Sequence, residues 1–241
     1  MAQFALAQPD ADDFDLSVAG SLEGVSGWRL TTADAEVRPD ALDPYCLHLL
    51  ARDRTTGALA ARTRLLTQEQ SMLAGGFRAG RDFRLEPLLG GRRLFVEASR
   101  TMVHPDYRGT NAVHALWSGV EPFLVDYGYD HLFTAVEIPL SAGPGAVRAL
   151  VRDLLDERGC PPELRVAPRL PLPNMCRGQV PACAPPAGLD ALRCRGARVC
   201  GEASWDPRRG SAVVLLLLDG QERPADSTRS WDMPPSHSRR R

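Results

Sequence analysis

The sequence predicts a fold of the α/β (α+β) class, in which helices flank a mixed central sheet. Three observations predict it. Apolar runs of strand length lie toward both ends of the chain, amphipathic helical patterns lie between them, and short polar turns rich in Gly, Asp or Pro separate the elements. The chain has 241 residues, of which 44% are hydrophobic, and this is enough for one domain with a proper core.

A β-hairpin begins the regular part of the chain. An apolar run over residues 46–51 leads into the polar turn 52–57, which ends in Gly57, and a second run covers 58–66. Upstream, residues 1–39 are predicted to be an irregular, degenerate N-terminal segment with one candidate strand at 14–18.

The centre of the sequence reads as a strand, a tight turn and a helix. The strand covers 94–103 and is broken by Pro105, which cannot donate to a ladder. Apolar residues then recur at three- and four-residue steps from Val113 to Tyr127, which predicts a helix that Pro122 kinks or ends. The N-terminus of a helix after a Gly-containing turn presents free N–H groups, so this unit is a candidate phosphate site.

The remaining elements follow in order. We predict an ordered loop at 75–91 that forms a lip over a site, a strand at 131–138, a helix at 144–158 stopped by Gly159, and an irregular proline-rich segment at 160–186. A short helix near 186–195 precedes a second hairpin made of 197–202 and 211–218. The domain therefore spans 40–220, and residues 221–241 are predicted to be a disordered tail.

Composition excludes several functions. The net charge of −1 gives no argument for nucleic acid, although all 29 basic residues are arginine. The six cysteines form no C-x-x-C pair and the histidines complete no zinc spacing, so no metal is expected. No secretory signal is evident, and the longest apolar run, 212–218, is too short to span a membrane; we expect a cytoplasmic protein. Three terminal arginines add only about 1 kcal/mol each at an anionic surface, so weak peripheral membrane contact is a secondary expectation.

Particular residues carry a family resemblance. Four segments of the chain resemble a family of GNAT-like N-acyltransferases. The first is Glu97, Ser99 and Arg100 followed by Val-His-Pro-Asp-Tyr-Arg. The others are Asp-Pro-Tyr-Cys-Leu-His-Leu-Leu at 43–50, Arg-Leu-Leu at 64–66 and Gly-Ala-Arg-Val-Cys-Gly-Glu-x-x-Trp-Asp-Pro at 196–207. Its members are ornithine–acyl carrier protein N-acyltransferases and N-acyl amino acid synthases, and it is distantly similar to the acyl-homoserine lactone synthases. The likeness covers roughly three quarters of the chain, from about 40 to 218. It departs at the N-terminus, where the family's Arg-Tyr-x-Val-Phe signature is reduced to Trp-Arg-Leu at 28–30.

The resemblance implies a GNAT-like fold and transfer of a long-chain acyl group from acyl carrier protein to the α-amine of ornithine or a similar amino acid. The donor is an acyl-phosphopantetheine on the carrier protein or CoA, with no bound cofactor and no metal. It implies catalytic roles for Glu97, as base or substrate orienter, and Arg100. Acceptor-binding roles fall to Asp40, Asp43, Arg64 and Ser99. The oxyanion would be met by backbone N–H groups near Met102 and Val103. The phosphate of the phosphopantetheine arm would lie against the N–H groups of Arg108, Gly109, Thr110, Asn111 and Ala112.

Alternatives stay open at this stage. Glu97 could instead pair with Arg100 or Arg64 to hold the sheet together, and the two aspartates could be surface turn charges. In a regular strand Glu97 and Arg100 face opposite ways, so a shared site requires a β-bulge between them. At the level of function, the alternatives are an N-acyl amino acid or acyl-homoserine lactone synthase, or a non-catalytic acyl-binding relative.

Overall fold

An eight-stranded mixed sheet forms the centre of the computed structural model, which describes residues 13–20, 31–32, 35–36, 40–173 and 182–220. Its strands are β1 (Phe14–Ala19), β2 (Leu47–Asp53), β3 (Leu59–Thr67), β4 (Phe95–Val103), β5 (His131–Pro139), β6 (Arg198–Val199), β7 (Ser204–Asp206) and β8 (Ser211–Asp219). They are ordered β1-β2-β3-β4-β5-β8-β6, and β7 also pairs with β8. The pair β4–β5 is parallel, and the other pairs of this sheet are antiparallel.

Six α-helices accompany the sheet within the described residues. They are α1 (Gln68–Leu73), α2 (Glu86–Leu89), α3 (Ala112–Ser118), α4 (Val120–Tyr127), α5 (Pro144–Arg158) and α6 (Ala187–Cys194). The helix predicted at 113–127 is two helices that meet at Gly119. Pro122 is the third residue of α4, where its missing N–H costs no intrahelical bond. The predicted interruption of the helix is therefore present, but it lies at Gly119, three residues before Pro122.

The two faces of the sheet bury different clusters, because successive strand residues point to opposite sides. One face carries Val96 and Ala98 and packs against α3, α4, α5 and α6. The other carries Phe95 and Phe133 and is covered by the segment 77–89 and by residues around 160–166. By the same alternation the Glu97 side chain points to the second face, the one that carries Phe95 and Phe133.

The C-terminal hairpin differs from the prediction. The arm expected at 197–202 contains only β6, and a separate strand, β7, lies beyond it at 204–206; the two pair with opposite ends of β8. The division falls at Gly201, whose φ of 141° and close approach to Val166 (a Cβ would lie 2.3 Å from its carbonyl oxygen) demand glycine. The hairpin is instead formed by β7, the turn 207–210 and β8, so its first arm starts later in the chain than predicted.

The N-terminal segment contributes to the sheet. The strand predicted at 14–18 is β1, which pairs with β2 along its whole length from Phe14 opposite Asp53 to Ala19 opposite His48. The tail at 221–241 and the residues around Trp28 lie outside the described part of the chain. The domain boundaries at 39/40 and 220/221 stay predictions.

Candidate active site

The parallel strands β4 and β5 separate halfway along their length and open a cleft. They are paired from Phe95 opposite His131 to Ala98 opposite Thr134, and the register ends there. Two cavities, of about 560 and 840 Å³, lie beside the separated halves. Both are lined by the same four residues, Ser99, Arg100, Ala135 and Glu137. The two cavities therefore meet at the point where the strands part.

A β-bulge in β4 places Arg100 in this cleft. Arg64 lies opposite Ser99 and Arg62 opposite Met102, so three steps along β4 match two along β3. Arg100 takes up the extra residue with a φ of 53°, the one left-handed non-glycine residue in the described part of the chain. Glu97 and Arg100 consequently line the same cavity. The bulge that the sequence required for a shared site is present.

Four charged side chains form one ion-pair cluster beside the bulge. The Arg64 Nη1 atom lies 2.6 Å from an Asp40 oxygen and 3.0 Å from an Asp43 oxygen, and Arg64 Nε donates to Ser99 Oγ at 3.1 Å. Arg100 approaches the same two carboxylates at 3.3 and 3.5 Å. Burial alone would raise the pKa of Asp40, but the Leu42 N–H and the Arg64 guanidinium outweigh it and lower that pKa. The two aspartates are thus part of an enclosed network rather than surface turn charges.

The Glu97 carboxylate binds the backbone of the loop at 75–91. One oxygen accepts the backbone N–H of Arg78 and the other that of Ala79, both at 2.7 Å. These amides begin a short 3₁₀ turn, Arg78–Arg81, within the Gly- and Arg-rich loop. Within the described residues Glu97 makes no ion pair with Arg64 or Arg100, so the pairing considered from the sequence is not what holds it.

The environment of Glu97 shifts its pKa upward. Its side chain is almost fully buried, and burial raises its pKa, although the two backbone N–H donors and Arg64 act in the opposite direction. A carboxylate with a raised pKa is a better proton acceptor than an ordinary one near neutral pH. Each oxygen retains one lone-pair direction beyond the backbone bond it accepts.

The turn after β4 uses some of its amide groups internally. Arg108 N–H donates to Pro105, Thr110 N–H to Tyr107, and Ala112 N–H to the Thr110 hydroxyl. Of the predicted phosphate-binding set, Arg108, Gly109 and Thr110 line the 560 Å³ cavity, whereas Ala112 is buried and neither it nor Asn111 lines that cavity. The amides of Gly109, Asn111 and Val113 have no hydrogen bond to the described residues, so they are the free donors of this turn.

Only one of the two predicted oxyanion amides faces the cleft. His104 N–H donates to Ala60 on β3 at 2.8 Å. Because N–H groups alternate in direction along an antiparallel strand, the Met102 N–H also points toward β3 and the Val103 N–H points to the opposite side, where β5 has separated. Val103 also lines the 560 Å³ cavity.

Several residues of the cleft were not identified from the sequence. Trp205, Asp206 and Arg209 reach it from the turn of the C-terminal hairpin, and Arg209 pairs with Glu137. Trp205 and Asp206 stood in the most specific motif of the resemblance, which was a usable signal. Helices α1 and α2 were also missed; with the loop between them they surround a further cavity of about 730 Å³ that includes Leu42, Phe77 and Leu85.

The fold class predicted from the sequence, a mixed central sheet flanked by helices, is confirmed. Residues 24–118 match the family model described as an acetyltransferase (GNAT) domain.

Proteins similar to this chain in sequence carry the name of one kind of acyltransferase. Over 108 residues the chain is 32% identical to the L-ornithine N(alpha)-acyltransferase of Rhizobium meliloti (strain 1021). The aligned region covers 42% of this chain and 36% of that protein. Over 99 residues it is 30% identical to the enzyme of the same name from Rhodobacter capsulatus, covering 39% and 38%. The resemblance stated from the residues is confirmed over this region, and the chain spans little more than a third of the length of these relatives.

Solved structures with related folds have low sequence identity. A phosphinothricin acetyltransferase from Sinorhizobium meliloti in complex with AcCoA aligns with a TM-score of 0.46 at 14% identity, over 89% of this chain and 92% of that one. A CoA-dependent acyl-homoserine lactone synthase with SAM and isopentyl-CoA aligns with a TM-score of 0.41 at 15% identity, over 83% and 70%. Among the described residues of this chain, no helix has the length and apolar character needed to cross a membrane.

Proposed function

We propose that this protein is an N-acyltransferase that moves a long-chain acyl group from a phosphopantetheine thioester to the α-amine of ornithine or a similar amino acid. The observation that carries the proposal is the cleft that joins Glu97, Ser99 and Arg100 on one side to the turn at Arg108–Thr110 on the other. Its sequence relatives named L-ornithine N(alpha)-acyltransferase support the choice of acceptor.

The donor's arm would lie in the cavity beside the turn. The free N–H groups of Gly109 and Val113, which both line this cavity, suit the phosphate of phosphopantetheine, and the exposed Arg108 adds a positive charge. The apolar side chains of Val113 and Trp117 line the same cavity and suit the pantetheine chain. Acyl carrier protein is the proposed carrier of this arm, and CoA is the alternative.

The reaction needs an acceptor amine that has lost its proton. Glu97 would take this proton, directly or through one water, on the lone pairs left free by Arg78 and Ala79. The neutral amine attacks the thioester carbonyl, and the Val103 N–H faces the side on which the oxyanion forms. The intermediate then expels the phosphopantetheine thiolate, which takes the proton held by Glu97 and leaves as the thiol, while the second proton of the nitrogen passes to solvent and a neutral amide remains. Arg100 and the ion-pair cluster would hold the acceptor in position.

The test is a transfer assay with purified protein. Long-chain acyl carrier protein or acyl-CoA is incubated with ornithine and a panel of other amino acids, and the N-acyl product is identified by mass. The expected product is N-acylornithine. A preferred neutral amino acid would indicate an N-acyl amino acid synthase, an acyl-homoserine lactone formed with S-adenosylmethionine as the acceptor would indicate a lactone synthase, and no product with any pair would contradict the proposal.

A variant tests the role of Glu97. Glu97→Ala is expected to lower turnover at least tenfold, about 1.4 kcal/mol in the barrier. Glu163→Ala, at an exposed carboxylate outside the cleft, is the control and should turn over like the wild type. Unchanged turnover in Glu97→Ala would remove Glu97 from the mechanism.

A further inference from the structure

Three buried polar atoms without hydrogen-bond partners lie together behind the cleft. They are His48 Nδ1, Arg62 Nε and Arg64 Nη2. His48 lies directly opposite Arg64 in the ladder of β2 and β3, and Arg62 is two residues from Arg64 on the same face of β3. The three residues are only 1%, 2% and 1% exposed, respectively. Buried polar groups are nearly always satisfied, so three orphan atoms in one place indicate a missing partner.

The charges of the neighbourhood indicate that this partner is an anion. Arg64 and Arg100 are balanced by Asp40 and Asp43. Arg62 has no carboxylate partner among the described residues; its one polar contact there is Nη2 to the Met102 sulfur at 3.5 Å. A guanidinium remains charged at neutral pH and is costly to bury without a counter-charge. Among Arg62, Arg64 and Arg100, Arg62 is therefore the one without a direct ion pair to a described carboxylate, although Asp43 acts on it at longer range.

We propose that Arg62, together with Arg64 and His48, binds the α-carboxylate of the acceptor amino acid. The inference rests on the proposed function and assigns to it a positioning residue for the acceptor. A planar carboxylate suits the fork of a guanidinium, and a neutral imidazole can donate from Nδ1 in the appropriate tautomer.

The position of the subsite agrees with the reaction. Arg64 donates to Ser99 Oγ at 3.1 Å, and Ser99 lines both cavities of the cleft. In an amino acid the α-amine is separated from the carboxylate by one carbon atom. None of the three side chains lines either cavity of the cleft, so the carboxylate would reach them past Ser99, which lines the cavity that also contains Glu97.

Paired substrates test the subsite. Acyl transfer is measured with ornithine and with ornithinamide, in which an uncharged amide replaces the carboxylate. The wild type is expected to favour ornithine at least tenfold in kcat/KM. Arg62→Met should lose at least tenfold in kcat/KM on ornithine, mainly through KM, and change little on ornithinamide. Arg62→Lys should recover part of the preference, and Arg54→Met, at an exposed arginine of the β2–β3 turn, should behave as wild type.

A stability measurement separates binding from folding. Methionine in place of an unbalanced buried charge should leave the melting temperature without ligand unchanged or higher. Ornithine should raise the melting temperature of the wild type and not that of Arg62→Met. If the wild type acylates both substrates equally, or Arg62→Met keeps the preference, the inference is overturned while the proposed function stands. If the wild type acylates no amino acid, both are overturned.

Discussion

His48 predicts a measurable dependence of stability on pH. Its imidazole is 1% exposed on β2, and burial, followed by the positive charge of Arg62, lowers the pKa of His48 to about 4 from 6.5; Asp43 opposes this and Arg64 reinforces it. The folded state disfavours the protonated ring. The contribution of His48 to the free energy of unfolding is therefore fully present above pH 6.5 and is lost as the pH falls from 6.5 toward 4. The difference between the two pKa values corresponds to about 3 kcal/mol. That is a large part of the stability of a typical domain.

The assay is urea unfolding followed by tryptophan fluorescence at pH 7.5, 6.5, 5.5 and 4.5. Glu97 contributes with the opposite sign, because its raised pKa makes the fold gain stability as the pH falls through the folded-state value. The wild type is therefore compared with His48→Gln, which keeps Glu97 and removes the imidazole. The free energy of unfolding of the wild type should fall by about 2 to 3 kcal/mol more than that of the variant between pH 7.5 and 4.5. Parallel pH curves for the two proteins would refute the reasoning.

Three further predictions concern single positions. Arg64→Met breaks a buried ion pair and leaves two partly buried aspartates with one arginine, so unfolding by urea should show a loss of about 3 to 5 kcal/mol; a loss below 1 kcal/mol would contradict this. Gly201→Ala, whose new Cβ would lie 2.3 Å from the Val166 carbonyl oxygen, should unfold or melt at least 5 °C lower, whereas Gly188→Ala, with open space on a helix, should melt at or above wild type. Thr110→Val removes the hydroxyl that accepts the Ala112 N–H and so loosens the turn proposed to bind the donor; the KM for the acyl donor should rise severalfold with kcat little changed.

Periodicity was sufficient for the regular elements. The bounds of α5 agree with the sequence-based prediction because proline begins the helix, an apolar stripe runs through it and Gly159 ends it. The hairpin β2–β3 and the central strand β4 were likewise predicted within about two residues. Helices α1 and α2 were missed because six- and four-residue helices are too short to show a period.

The members of the ion-pair cluster were named from the sequence, whereas their contacts were not. Asp40, Asp43, Arg64 and Arg100 were all named, and the bulge that unites them followed from the requirement that Glu97 and Arg100 share a side. The bond from Glu97 to the amides at 78–79 could not be predicted, since it depends on how an irregular loop folds over the sheet. The significance of Arg62 could not be predicted either, because a missing partner is visible only once every neighbour has a position.

The parting of β4 and β5 has a consequence for how any donor is recognised. On their outer sides these strands remain paired with β3 and β8, so past Ala98 and Thr134 only their inner edges, residues 99–103 and 135–139, are left open. An extended molecule with amides spaced like those of a peptide could enter this opening as an additional strand and bond to main-chain atoms. Recognition of that kind depends on backbone and not on side-chain identity. Under the proposed function, substitutions along the cleft walls would then alter which acyl chain or acceptor fits without changing the main-chain groups that bind the donor.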